Sequence, residues 1–300
     1  MRYTLALILA SLALAAAAPA GAEVPRVITD IPVVHALVAQ VMGDLGTPVL
    51  LLQKGADEHD FQLRPSQMTA LSEAGLVVWV GPELTPWLER ALAGTTAAQL
   101  ALLDADGTRR IAYADGAHAI TAAGNDHGGT DPHAWLDPGN AQTWLGLIAA
   151  ELSRIDPDHG ASYAANAATA AESIAAMDAA IAGQLAPVIG RPFVTFHDAF
   201  GYFIAHYGLN FAGSVALGDA SAPGAARLVA LQDSLAESQA TCLFPEAQHD
   251  PALIAQLAAA TGTRIGAALD PSGSALDPGP GNYAALMTGL ATALTDCLDQ

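Results

Sequence analysis

Short apolar runs alternate with segments of helical periodicity through the first third of the chain. Residues 24–28, 48–52 and 75–80 are such runs, and their length and flanking turn residues predict β-strands. Residues 33–42 repeat apolar side chains at helical spacing and predict a helix between the first two strands. Strands that alternate with helices in this way indicate a parallel sheet with helices on both faces.

The pattern changes twice in the middle of the chain. Residues 116–130 are rich in Gly, Asn, Asp and His and predict a loop, and a helix starts near residue 139 after Asp137-Pro138. An Ala-rich stretch then runs over residues 156–185. A helix of about 28 residues extends roughly 40 Å, which is long enough to cross a domain and to connect two lobes.

The alternation of strands and helices resumes in the last third. The predicted strands cover residues 192–196, 240–244 and 264–268, the predicted helices cover residues 251–260 and 283–298, and residues 270–281 predict a Pro/Gly-rich loop. The sequence therefore predicts an α/β protein made of two halves joined by one long helix.

The first residues have the features of a secretory signal. Arg2 precedes an apolar run over residues 5–18, and small residues lead up to a predicted cleavage site after Ala22. The mature chain would then begin at Glu23. An uncleaved membrane anchor is the alternative, but the run is shorter than the roughly 20 residues that a spanning helix needs.

Composition and charge limit the range of possible functions. The chain is 52% hydrophobic and 14% charged, which is typical of a folded protein, and its formal net charge is −19. Such an acidic chain lacks the cations that would neutralise phosphates, so nucleic acid is excluded as a partner. The two cysteines, Cys242 and Cys297, favour a disulfide in an exported protein, with two buried thiols or a metal site as alternatives.

Two of the nine histidines follow predicted strands in opposite halves of the chain. His59 lies in the loop after residues 48–52, and His197 directly follows residues 192–196. Ligands of open parallel sheets bind beyond the carboxyl ends of the strands, so a site between the two halves could use both side chains.

His133 lies in a segment that two Asp-Pro turns and the bulky Trp135 would hold in place. A ligating imidazole usually donates its second N–H to a carboxylate or carbonyl. The carboxylates available for this are Asp60, Asp131, Asp137 and Asp198, although Asp137 and Asp198 fit helix caps and turns better. The familiar catalytic motifs HExxH, CxxC pairs, a P-loop and GxSxG are absent from the sequence.

Several segments together resemble the zinc-specific solute-binding proteins of bacterial ABC importers, the ZnuA type. These segments are residues 55–66, 78–84, 131–138, 196–203 and 269–271, and the resemblance runs from about Val24 to the end of the chain. It implies two α/β lobes, each with a parallel sheet flanked by helices, joined by one long rigid helix. The corresponding boundaries are residues 1–22 for the signal peptide, 23–155 and 188–300 for the lobes, and 156–187 for the connecting helix.

The resemblance also implies a metal site in the cleft between the lobes. It implies His59, His133 and His197 as the ligands, and Cys242 and Cys297 as the disulfide pair of this family. Manganese- and iron-binding relatives tend to have Glu at the third position, where this chain has His197. Imidazole suits Zn²⁺ whereas added carboxylates favour Mn²⁺, so the expected metal is zinc.

A tetrahedral zinc site needs a fourth ligand. Asp270 follows a predicted strand and ranks equally with a water molecule, and Glu58, the neighbour of His59, ranks behind them. Many members of the family carry a long His-rich loop before the second ligand. The equivalent loop here holds only His118 and His127 as imidazoles, so a mobile polar loop is the alternative to further metal contacts there.

The resemblance implies that the protein captures Zn²⁺ in the periplasm and delivers it to an ABC permease in the inner membrane. We expect a monomer that is not an enzyme and does not insert into the membrane once the signal is removed. The alternatives are a manganese- or iron-binding relative and an exported zinc hydrolase, in which Glu58 or Glu246 would be the general base.

Overall fold

The computed structural model describes residues 24–113, 129–216 and 225–300 of the chain. The predicted signal peptide at residues 1–22 and the two loop histidines, His118 and His127, lie outside the described residues.

The first lobe contains a four-stranded parallel sheet with strand order β2-β1-β3-β4. Its strands are β1 (Val27–Thr29), β2 (Val49–Leu50), β3 (Leu76–Trp79) and β4 (Ala98–Ala101). The central strands β1 and β3 are buried on both faces. Helices cover both faces of such a sheet, which explains the continuous apolar runs in the sequence.

The second lobe repeats this plan with strand order β6-β5-β7-β8, again all parallel. Its strands are β5 (Phe193–His197), β6 (Phe211–Ala216), β7 (Cys242–Phe244) and β8 (Arg264–Ile265). The carboxyl ends of β5, β7 and β8 share one edge of this sheet, because the strands are parallel.

Nine α-helices are found in the described residues. They are α1 (Pro32–Met42), α2 (Pro65–Ser72), α3 (Pro86–Leu92), α4 (Pro138–Ile155), α5 (Gly160–Leu185), α6 (Gly201–Tyr207), α7 (Ala225–Ser238), α8 (Ala252–Thr261) and α9 (Asn282–Leu298). Among these residues, none of the helices has both the length and the apolar character needed to cross a bilayer.

The predicted long helix is confirmed as α5, which joins the two lobes. Its 26 residues span about 39 Å. A stripe of buried side chains at helical spacing, from Tyr163 through Ile174 to Leu185, faces the protein. This stripe packs against α1, α4 and α9, so the connection is a packed element of the core and not a free linker.

The predicted disulfide is also confirmed: Cys242 and Cys297 are bonded, and the structure describes no free cysteine. Cys242 begins β7, and Cys297 lies in the last turn of α9. The bond therefore fixes the C-terminal helix to the second sheet.

The edge strands are where the sequence predictions fail. The strand predicted over residues 48–52 is only Val49–Leu50, the one predicted over 264–268 is Arg264–Ile265, and β4 and β6 were not predicted. All four lie at the edges of their sheets. β2, β4 and β8 contain no fully buried residue, so their sequences carry a weaker apolar signal, and β6, although mostly buried, is interrupted by Gly213 and Ser214.

Candidate metal centre

Three histidines from distant parts of the chain come together between the lobes. The ring centroids of His59, His133 and His197 lie 5.3 to 5.4 Å from one another. One nitrogen from each ring lies within 4.8 Å of the others, and within residues 24–113, 129–216 and 225–300 this is the one group of such ligands. His133 and His197 are buried, and His59 is partly exposed.

Asp131 fixes the orientation of His133. One carboxylate oxygen of Asp131 accepts hydrogen bonds from the backbone N–H of His133 at 2.9 Å and from its ring Nδ1 at 2.8 Å. With Nδ1–H donating to this carboxylate, His133 has its Nε2 lone pair available to a metal. Asp131 is therefore the carboxylate partner that the sequence indicated for a ligating imidazole.

Asp137 instead caps a helix, as its sequence context suggested. It is the N-cap of α4 and accepts from Gly139 N at 2.9 Å. Its other oxygen accepts from the Arg109 guanidinium at 2.8 Å. Asp60 is exposed.

Glu246 holds the corresponding place beside His197. The Nδ1 atom of His197 lies 3.3 Å from Glu246 Oε2, and both side chains are buried. Glu246 Oε1 lies 3.3 Å from His249 Nε2. With Nδ1 facing Glu246, Nε2 of His197 is the nitrogen available to a metal, and it is buried without a hydrogen-bond partner.

The sequence interpretation considered Glu246 only as the base of a hypothetical hydrolase. The signal for its position was present, because Glu246 lies two residues beyond the carboxyl end of β7, beside β5 and His197.

His59 is held by its own loop. The carboxylate of Asp57 accepts from the backbone N–H of His59 at 2.8 Å. Trp87 Nε1 donates to the carbonyl of Glu58 at 2.9 Å, which anchors the loop on α3 of the first lobe. The Glu58 carboxylate points to the second lobe, where Ser272 Oγ donates to it at 2.9 Å.

Several buried acidic side chains surround the three imidazoles. Burial, with a further contribution from Glu246, raises the pKa of Glu58 to about 8, and burial raises the pKa of Asp131 to about 7. Burial alone would lower the pKa of His197, but Glu246, together with Glu58 and Asp198, outweighs it and raises this pKa to about 9. Buried carboxylates with raised pKa values gain a favourable partner when a divalent cation enters, so the site favours a cation.

The predicted fourth ligands differ in position. Asp270 uses both of its carboxylate oxygens in its own loop, accepting from the backbone N–H groups of residues 272–275 and from the side chain of Gln248. Neither Asp270 nor Glu58 belongs to the group formed by the three histidines. Glu58 nevertheless interacts electrostatically with His197, which favours it over Asp270 as a fourth ligand.

Three further histidines have structural partners away from the centre. His35 Nε2 lies 3.2 Å from the carbonyl of Pro48, His159 Nδ1 lies 2.7 Å from Asp156, and His206 lies between Asp178 and Asp137. These contacts explain the three side chains without a metal.

Replacing Glu246 with Gln should weaken metal binding by about 10- to 100-fold. The negative charge of Glu246 orients the imidazole of His197 and raises its basicity, and the variant removes that charge. Glu172→Gln, at an exposed position on α5, is the matched control and should bind normally. Affinity would be measured by competition with a chromophoric chelator. Equal affinities for the two variants would exclude this role for Glu246.

Three imidazole nitrogens form a donor set that suits zinc, with a carboxylate hydrogen-bonded to His133 and another 3.3 Å from Nδ1 of His197. The set leaves a fourth position for water or a carboxylate. The chemistry therefore supports either a zinc carrier or, in principle, a metal-activated water.

Comparisons with known proteins show which family the chain resembles. A family model described as ZnuA, zinc-uptake complex component A, periplasmic, matches residues 27–297. The high-affinity zinc uptake system protein ZnuA of Paracoccus denitrificans (strain Pd 1222) is 54% identical over 317 residues, covering 97% of each chain.

Solved structures of solute-binding proteins share the fold of this chain. A crystal structure of a zinc-bound ZnuA deletion mutant matches with a TM-score of 0.76 and 25% identity, over 91% of this chain and 98% of the other. The solute-binding protein FpvC of Pseudomonas aeruginosa, in complex with Mn²⁺, matches with a TM-score of 0.79 over 92% of this chain and 99% of the other. Its identity is 20%, so it shows a shared fold alone.

Proposed function

Since this chain belongs to the ZnuA family of periplasmic zinc-uptake components, we propose that it captures Zn²⁺ with His59, His133 and His197 and carries it to an ABC permease. The observation that carries this proposal is the convergence of the three imidazoles, with one nitrogen of each within 4.8 Å of the others. Zinc is the cargo of the import system, and this protein is its zinc-binding component.

The donor set favours zinc over manganese. All three converging ligands are imidazoles, and the nearby carboxylates of Asp131 and Glu246 face the Nδ1 atoms of His133 and His197. Neutral nitrogen donors suit Zn²⁺, and the Irving–Williams order places Zn²⁺ above Mn²⁺ for such donors.

We assign the fourth position to water or to Glu58. Glu58 is buried, neighbours His59 in the same loop and interacts electrostatically with His197, which supports it as a ligand or as the acceptor of a bound water. Asp270 has less support, because its two oxygens already accept hydrogen bonds within residues 270–275.

The location and partners follow from the family. The family is periplasmic, and its members supply an ABC permease with their solute. For this chain, we infer export by a signal cleaved after Ala22 and delivery by a monomer to a zinc-specific permease in the inner membrane. The apolar run over residues 5–18 supports the export step. Solute binding is not an enzymatic function, and Glu246, one of the two candidate bases of the hydrolase alternative beside Glu58, faces His197 and His249.

Titration of the metal-free protein tests the function. After removal of metal with a chelator, the protein should bind one Zn²⁺ per chain, and Mn²⁺ should not displace it at equal concentration. Zinc at about 1,000 times its Kd should stabilise the folded state by about 4 kcal/mol, which raises the melting temperature. Manganese binding as tight as zinc binding would contradict the zinc assignment, and a melting temperature independent of both metals would contradict the carrier function.

A further inference from the structure

The loop of the second lobe that contains Asp270 lies against the loop that carries His59. We call residues 270–277 the clasp loop and residues 54–60 the His59 loop. Gly55 N donates to the carbonyl of Ser274 at 2.9 Å, and Ser272 Oγ donates to Glu58 Oε2 at 2.9 Å. Lys54, the only lysine of the chain, pairs with Asp277 at 2.6 Å. These contacts join residues more than 200 positions apart and connect the two lobes.

The clasp loop has its own internal framework. One oxygen of Asp270 accepts from the N–H groups of residues 272, 273 and 274, and the other accepts from Ala275 N. Asn282 Nδ2 donates to the carbonyls of Gly273 and Asp277. Gly273 has a φ of 73°, and a side chain there would meet Asn282 at 2.5 Å. The shape of the loop is therefore set within the second lobe, without any contribution from a metal.

The three contacts differ in strength. Lys54 and Asp277 are exposed at 57% and 90%, so their ion pair is screened by solvent and contributes little. Ser272 and Glu58 are both buried, and losing a buried hydrogen bond leaves a polar group without water or a partner, which costs more than losing an exposed contact. Outside the clasp loop, His249 lies 3.9 Å from Asp57 and adds a longer contact. The hydrogen bond from Ser272 to Glu58 is therefore the main side-chain link between the two loops.

The His133 segment is attached to the second lobe by separate hydrogen bonds. Trp135 Nε1 donates to the carbonyl of Pro271 at 2.8 Å, and Tyr283 OH donates to the carbonyl of Trp135 at 2.9 Å. Tyr202 OH donates to the carbonyl of Asp131 at 3.0 Å. The His133 segment thus contacts the second lobe through bonds that do not involve the His59 loop.

We propose that the clasp loop positions the His59 loop for zinc binding, with Ser272 as the positioning residue and Asp270 as the residue that shapes the loop. Neither side chain needs to touch the ion. When the bond from Ser272 to Glu58 breaks, the His59 loop loses its main side-chain link to the second lobe, and the contact of His59 with the ion weakens. The clasp therefore controls how fast zinc is released. This inference rests on the proposed zinc-binding function.

Zinc release from Ser272→Ala tests the proposal. We expect zinc to dissociate at least about 10-fold faster than from the unmodified protein, with one Zn²⁺ still bound per chain, because a buried hydrogen bond between the clasp loop and the His59 loop is lost. Release would be followed by stopped flow with excess chromophoric chelator. Ser173→Ala, at an exposed position on α5, is the matched control and should release zinc at the normal rate.

A double-mutant cycle separates positioning from a general loss of stability. If Ser272 acts through Glu58, then Ser272→Ala should have no further effect in a Glu58→Ala background, whereas a structural defect would add to it. Asp270→Asn should also accelerate release and provides a second variant that keeps the Ser272 hydroxyl. Normal release from both Ser272→Ala and Asp270→Asn, or additive effects in the cycle, would overturn the proposal. An unmodified protein that binds no zinc would instead refute the proposed function itself.

Discussion

Replacing His133 with Ala should weaken zinc binding by about a thousandfold or more. Protein zinc sites bind their ion with roughly 10 to 16 kcal/mol, and the loss of one of three nitrogen ligands removes about 4 kcal/mol, which corresponds to that factor. The loss should be especially clear at His133 because Asp131 orients its ring before any metal binds. The fully buried position gives no other side chain room to take its place.

Competition against a chromophoric chelator at pH 7 would measure this loss. His159→Ala is the matched control, because its imidazole is partly buried and bonded to Asp156 but lies outside the group of three ligands. The control should bind zinc normally, and the metal-free His133→Ala protein should have the circular dichroism spectrum of the unmodified protein. An affinity for His133→Ala within a few fold of normal would remove His133 from the site.

Replacing both Cys242 and Cys297 with Ala should lower the free energy of unfolding by about 4 kcal/mol. The disulfide closes a loop between residues 55 positions apart, and its loss restores the conformational entropy of the unfolded chain. For a protein of this size, the melting temperature should fall by roughly 10 °C. The effect should be large because the bond holds α9, which packs against both α1 and α5.

Thermal unfolding of the metal-free protein would measure the effect of the disulfide. A reductant should lower the melting temperature of the unmodified protein and leave that of the double variant unchanged, since the chain has no other cysteine. Zinc affinity should be nearly normal in the variant, because Cys242 begins β7 whereas His197 lies at the opposite, carboxyl end of the neighbouring parallel strand β5. Identical melting temperatures for the two proteins would contradict a stabilising role for the bond.

The central features of this fold were accessible from the sequence. The doubly buried strands β1, β3, β5 and β7 appear as apolar runs, and the long helix α5 appears as an Ala-rich stretch with a stripe of larger side chains. The edge strands were missed or overextended because their partly exposed or Gly- and Ser-interrupted sequences leave little apolar pattern to detect.

The three histidines that converge were also singled out from the sequence, but for different reasons. His59 and His197 follow strands, which gave a physical argument for their position, whereas His133 rested more on its Asp-Pro segment and on the family resemblance. Asp131 was named as a partner because it lies two residues from His133.

The side chains that contact the histidine site from distant parts of the chain could not be paired with it from the sequence. Glu246 reaches His197 only through the pairing of β5 with β7. Ser272 reaches Glu58 only through the contact between the lobes, across 214 positions of sequence. Asp270 has the strand-end position expected of a ligand, yet its oxygens are directed into its own loop by backbone N–H groups that no sequence pattern reveals.

The central claim is that one zinc ion lies between His59, His133 and His197. A crystal structure of the zinc-loaded protein, with an anomalous difference map measured at the zinc absorption edge, tests it most directly. The predicted result is one strong peak at about 2.0 to 2.1 Å from Nε2 of His133, Nε2 of His197 and a ring nitrogen of His59. A strong peak coordinated by other residues, or one that any of the three histidines does not contact, would contradict the claim.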